Sequence, residues 1–233
     1  MLYGETEVRA NIRNREGKRV FYLGKGDQLT ASARDWLTRE RIPILPAAQA
    51  KPERWRLLTG GFLEGKPEYL THLNGEVLVP KTHPRITFRG EMDTLESVLI
   101  LCQLNAGQRW MEPLGEILGL ARKIIRCDVL EEPICQEMLC GLTEDQQRQR
   151  SHRPQEYYGQ AHFMPEVSDG TAVLWLNRAR TAARSAELAA VRAWTDRDGC
   201  LIREDIPRVL NRMSSMLYIL MIQAKKETAG GIG

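Results

Sequence analysis

The sequence predicts an all-α fold, an antiparallel four- or five-helix bundle with a small amino-terminal extension made of a β-hairpin and one helix. Three observations lead there. From Pro84 onward, apolar residues recur at three- and four-residue steps, the period of helices that each bury one face. Residues that start and stop helices punctuate those runs, among them Pro84, Gly107, Pro113 and Asp169. The connections between runs are short to medium, which favours antiparallel neighbours.

Taken in order, the first β-compatible runs lie between Thr6 and Leu23. Arg19-Val20-Phe21-Tyr22-Leu23 follows a polar turn and suggests a hairpin or an extended arm. Thr30 is placed to cap a short amphipathic helix that continues through Trp36 and Leu37. Ile42 to Lys66 mixes prolines and glycines without a sustained period and reads as a linker. The chain therefore divides into an arm over 1–66 and a bundle over 67–233. The first bundle helix begins just after Pro84, carries Met92, Leu95, Val98, Leu99 and Cys102 inward, and stops near Asn105-Ala106-Gly107. A second opens at Glu112-Pro113, with proline suited to its first turn, and runs to about Glu131. Thr143-Glu144-Asp145-Gln146 has the spacing of a capping box for a short helix. A third long helix follows Ser168-Asp169 and reaches about Thr195. The fourth starts near Asp205 and presents Ile206, Val209, Leu210, Met213, Met216, Leu217, Leu220 and Met221 on one face.

Composition narrows the function. The 33 basic and 30 acidic residues give the 233-residue chain a net charge of +3. That charge is spread along the chain, without the basic stripe and aromatic partners of a nucleic-acid protein. No run reaches the ~18 apolar residues of a membrane span, and the first residues lack a signal-peptide core, so a cytoplasmic protein is expected. The five cysteines include no Cys-x-x-Cys pair, and the four histidines (His72, His83, His152, His162) lack metal-ligand spacing. Reduced, mostly packed thiols and no structural metal are the expectation.

The polar exceptions on the helices carry the chemistry. Arg180, Arg184 and Glu187 fall on one stripe of the third long helix. Two guanidiniums one turn apart repel each other, and an anion such as a polyphosphate, or paired carboxylates, makes that spacing tolerable. A solvated basic face is the plainer reading of the same spacing. Asp93, on the first helix, is an acidic counterpart for Arg180 within one subunit or across a boundary. Asn211, Ser214 and Ser215 interrupt the methionine-rich stripe of the last helix, where buried polar groups need partners. No Ser/His/Asp arrangement and no Gly-rich phosphate loop is present.

Four segments in order carry a resemblance to a known family. They are Lys81-Thr82-His83-Pro84-Arg85 with Gly90-Glu91-Met92-Asp93-Thr94-Leu95-Glu96-Ser97; His162-Phe163-Met164-Pro165-Glu166; Ala179-Arg180-Thr181-Ala182-Ala183-Arg184-Ser185-Ala186-Glu187; and Leu210-Asn211-Arg212-Met213-Ser214. Across roughly Leu70 to Lys225 the chain resembles the ethanolamine-utilisation-type (EutT) ATP:cob(I)alamin adenosyltransferases, related to the PduO-type helical enzymes. The amino-terminal Leu29-Thr30-Ala31-Ser32-Ala33-Arg34 also resembles the segment that precedes the bundle in EutT members.

The resemblance implies roles. Arg180 and Arg184 would bind the ATP triphosphate, Asp93 would pair with Arg180, and Glu187 and Asn211 would line the nucleotide site. Lys81 and Arg85 would lie near the phosphates, with Thr71 and His72 as weaker candidates because the family's upstream glycine-rich loop is shortened here. His162 or Phe163 would stand beneath the corrin. The implied substrates are ATP with Mg2+ and cobalamin, and the implied product, adenosylcobalamin, would serve a B12-dependent ethanolamine ammonia-lyase. A non-catalytic corrinoid-binding or delivery protein is the alternative. Many EutT members carry a cysteine cluster upstream of the bundle, whereas Lys51 to Lys81 contains no cysteine here. No protein-bound iron or zinc centre is therefore expected. Further implied are a homo-oligomer (a trimer favoured over a dimer), a flavin reductase as partner, and association with a bacterial microcompartment.

Overall fold

The computed structural model describes residues 1–15, 18–47 and 54–230. Its chain separates into two compact units, Met1–Lys66 and Pro67–Gly233.

The first unit begins with β1 (Leu2–Tyr3), α1 (Glu5–Ala10), β2 (Arg13–Arg15), β3 (Lys18–Leu23) and β4 (Gln28–Leu29). It continues through α2 (Ala31–Arg39), β5 (Ile44–Pro46), β6 (Arg54–Leu57) and β7 (Phe62–Glu64). Strand β3 pairs antiparallel with β2 and parallel with β5, and β1 pairs parallel with β4. Val8, Phe21, Leu29, Ala33, Trp36, Leu37 and Ile42 form its small core. As expected, Thr30 caps α2, its hydroxyl accepting from the Ala33 amide at 3.3 Å. Two expectations change. Glu5–Ala10 is a helix within the stretch read as strands, held by an Arg9–Glu5 pair at 2.6 Å across one turn. The stretch read as a linker contributes β5 and the antiparallel β6–β7 hairpin, turned by Gly60 and Gly61 at φ 95° and 86°. Residues 48–53 of that stretch lie outside the described residues.

The second unit opens on a hairpin, β8 (Leu70–Asn74) and β9 (Val77–Pro80), which the helical expectation overlooks. Then come α3 (Pro84–Asn105), α4 (Met111–Leu130), a two-residue-per-strand hairpin of β10 (Met138–Leu139) and β11 (Leu142–Thr143), α5 (Glu144–His152) and α6 (Pro154–Tyr158). The long helices α7 (Gly170–Trp194) and α8 (Asp205–Gly230) complete it. The sequence-derived starts hold for local reasons. Pro84 takes the first turn of α3 while the His83 ring accepts from the Arg85 amide at 3.2 Å, and Thr143 with Gln146 closes the capping box of α5.

Helix α7 packs against both α3 and α8, and α3 packs against α4. One continuous core runs through the seam, from Phe88, Met92 and Leu95 to Leu210, Met213 and Leu217. At the end where α3 begins, Phe88 meets Trp194 edge to face at 5.0 Å. This is a predominantly helical bundle with an amino-terminal β extension. No helix among the described residues is long and apolar enough to cross a membrane.

Candidate functional site

The polar residues of interest gather where α7 and α8 run side by side. Helix α7 buries Ala179, Ala182, Ala183, Ala186 and Ala190. Such small side chains permit close approach of neighbours whose axes pack about 8–10 Å apart. Longer polar side chains at the margin of that face can then reach across to α8. Midway along both helices Arg180 places its guanidinium carbon 5.9 Å from the Tyr218 ring centre. Two turns further along, Glu187 Oε1 accepts from Asn211 Nδ2 at 2.8 Å. The antiparallel helices thus pair position 180 with 218 and 187 with 211, and Arg184 falls between.

A cavity of about 280 Å³ opens at this margin. It is lined by Ser151 and His152 of α5, His162, Arg180, Arg184, Ser214, Ser215 and Tyr218. Both serine hydroxyls donate back to the Asn211 carbonyl, at 2.9 and 3.2 Å, which fixes their rotamers. Arg180 is half-buried, and its Nε and Nη2 donate to Asn177 Oδ1 at 3.2 and 2.9 Å. Burial first, and the Arg184 charge second, hold its pKa below the ordinary arginine value, while Tyr218 opposes them. Because a guanidinium remains charged in proteins, this tension is relieved by an anion and not by loss of a proton. Neither Arg180 nor Arg184 pairs with a carboxylate among the described residues. Glu187 Oε2 is buried with no hydrogen-bond partner, leaving an open acceptor beside the arginines.

His162 and Phe163 diverge. His162 enters the cavity, with Nδ1 2.8 Å from the Tyr218 hydroxyl, Nε2 3.3 Å from the His152 carbonyl, and its ring stacked on Tyr218 at 5.7 Å and 11°. Phe163 packs half-buried against the core, with Lys225 Nζ 4.4 Å from its ring centre. Lys225 in turn pairs with Asp169 at 2.5 Å, tying α8 to the turn that starts α7.

The other expected residues do not join this cavity within one chain. Asp93 is exposed on α3, its carbonyl accepting from Ser97, and the Asp93–Arg180 pair does not form in the chain. Lys81 pairs with the exposed Glu68 at 2.7 Å. Arg85 is committed to the fully buried Asp128, through Nε to Oδ1 at 2.9 Å and Nη2 to the backbone carbonyl at 2.8 Å, and to Glu131 at 3.2 Å. Arg89 binds the second oxygen of Asp128 at 2.6 Å. Thr71 and His72 lie on β8, where His72 Nδ1 is 3.0 Å from the Gly75 carbonyl. Since Arg85 lies over Trp194 and fourteen residues separate Arg180 from Trp194, the two groups stand about 20 Å apart along the bundle.

Sequence reasoning overlooked Tyr218, Ser151, His152 and Asp128 as partners. Tyr218 left a signal, because it continues the stripe of Asn211, Ser214 and Ser215 at the next helical step. Asp128 left a fainter one, a carboxylate inside the apolar run of α4. No group of three or more His, Cys, Asp or Glu side chains placed to hold a metal ion occurs among the described residues.

A helical bundle with a cation-lined cavity between α7 and α8 meets a match in known proteins. The Cobalamin adenosyltransferase family model matches residues 64–224, so the chain belongs to that PduO-type family and is a corrinoid adenosyltransferase. It is similar to the Corrinoid adenosyltransferase EutT of Salmonella typhimurium strain LT2, at 30% identity over 94% of this chain and 90% of the relative. The protein of the same description from Escherichia coli K12 matches at the same identity and coverage.

Proposed function

We propose that this chain transfers the 5′-deoxyadenosyl group of Mg-ATP to the cobalt of cob(I)alamin, supplying adenosylcobalamin to an ethanolamine ammonia-lyase. One observation carries the reading: Arg180 and Arg184 lie one turn apart in a cavity of about 280 Å³ without a carboxylate among the described residues to answer either. In the proposed step the electron pair of Co(I) forms a bond to the ribose 5′ carbon. The C5′–O bond breaks with its electrons going to the triphosphate. Cobalt is thus the nucleophile, and the protein needs no serine, cysteine or general base.

The chain's residues then position and neutralise. Arg180 and Arg184 would hold the triphosphate and meet the charge that grows on it as it departs. Asn211 and Glu187, whose Oε2 is an open acceptor, would orient the nucleotide. The His162–Phe163 segment would flank the corrin and exclude water and the cobalt's lower ligand. Asp93, exposed and without Arg180 in its own chain, would reach Arg180 of a second copy in a homo-oligomer.

Incubation with Mg-ATP and chemically reduced cobalamin, followed by corrinoid absorbance, tests the reading. The wild type should form the cobalt–carbon product. Arg180→Ala should lose about 2–4 kcal/mol of transition-state stabilisation, the loss typical of a preorganised charge donor. Near-normal turnover of the variant removes Arg180 from the site. Binding of corrinoid by the wild type without product points instead to a delivery protein.

A further inference from the structure

Tyr218 stands between the two halves of the cavity and is claimed by neither motif. Its ring lies 5.9 Å from the Arg180 guanidinium. Its hydroxyl lies 2.8 Å from His162 Nδ1. The hydrogen-bond roles follow from elementary counting. The His152 carbonyl can only accept, so His162 Nε2, 3.3 Å away, carries the proton. In the neutral ring Nδ1 is then the acceptor, and the tyrosine hydroxyl donates to it. A directed chain results, from the Tyr218 hydroxyl through the His162 ring to the His152 carbonyl. Burial raises the Tyr218 pKa, which keeps the donating proton in place.

We infer that Tyr218 is a positioning residue for the transfer reaction, holding Arg180 with its ring and His162, the first residue of the segment before Pro165, with its hydroxyl. Among the described residues Arg180 has no other hold from outside its own helix, since Asn177 is one turn back on α7. The His162 side chain is likewise fixed to α8 by this hydroxyl. Tyr218 thereby sets the cation that grips the triphosphate and the segment flanking the corrin in one frame. An error of about 1 Å between reacting groups is enough to slow such a reaction by about a hundredfold.

The inference rests on the adenosyl-transfer reading for the identity of the two substrates, and two substitutions separate its parts. Tyr218→Phe keeps the ring and removes the hydroxyl; Tyr218→Leu removes both. Steady-state kinetics with each substrate varied should show Tyr218→Phe raising KM for the corrinoid about three- to tenfold, the value of one hydrogen bond. Its calorimetric Kd for Mg-ATP should stay within about twofold of wild type, whereas Tyr218→Leu should weaken Mg-ATP binding about fivefold as the cation–π contact is lost. Tyr218→Phe kinetics identical to wild type, or equal weakening toward both substrates, would overturn the inference. Mg-ATP calorimetry needs no turnover. A wild type that forms no product therefore defeats the adenosyl-transfer reading, while equal Mg-ATP affinity in Tyr218→Leu and wild type defeats this one.

Discussion

Asp128 has no exposed surface and is answered by two arginines, with Arg85 on one oxygen and Arg89 on the other. A buried ion pair adds little beyond a well-packed apolar substitute, but removing one partner leaves an uncompensated charge and costs about 3–5 kcal/mol. Asp128→Ala, which strands two cations at once, should therefore lower the denaturant midpoint by a stability loss of about 3–5 kcal/mol. Mg-ATP affinity of the protein that remains folded should hold. An unchanged midpoint would show that the arginines find water as readily as the carboxylate. At this scale the sequence is uneven. Arg180 and Arg184 are legible because their relation is local, four positions on one helix. The commitment of Arg85 is not, since its partner lies 43 positions away and only folding brings them together. The motif places Arg85 near the phosphates, and in the fold its guanidinium also joins the start of α3 to the end of α4.

Among the elements, α3 depends on an unusual cap. The His83 ring accepts from the Arg85 amide, a role that requires an unprotonated nitrogen. Burial, and then the charges of Arg85 and Arg89, lower the His83 pKa from its ordinary 6.5. The unfolded chain therefore binds a proton at a higher pH than the folded one. The cap's contribution is complete above 6.5 and is lost as pH falls below that value toward the depressed folded pKa. The melting temperature should fall between pH 7.5 and pH 5.5, roughly the window in which histidine titrates. His83→Asn, a cap that does not titrate, should flatten that dependence, while an equal slope in variant and wild type would place the effect elsewhere. Caps of this kind made most helices readable, as Thr30, Pro84 and Thr143 show. The β8–β9 hairpin also had its signal in Asn74-Gly75, with Gly75 at φ 47°, but its strands are too short to outweigh the helical period that follows.

For the whole molecule, the decisive geometry is a separation. Thr71, His72, Lys81 and Arg85 belong to the end of the bundle where α3 begins, and the arginine cavity lies about 20 Å along it. Asp93 is exposed on α3 and makes no pair with Arg180 in its own chain. The motifs lie in one sequence, and their order says nothing about whether one copy or two assembles them. A homo-oligomer that sets α3 of one copy against α7 of another would unite Asp93 with Arg180. Exposed Ile100, Leu101 and Leu104 further along α3 give such a contact apolar surface to bury. Subunit mixing tests this directly. Asp93→Ala and Arg180→Ala proteins, each impaired alone, should regain activity when unfolded and refolded together, because some shared sites then combine two unaltered residues. If the pair instead acted within one chain, every site would carry one lesion or the other, and mixing would restore nothing.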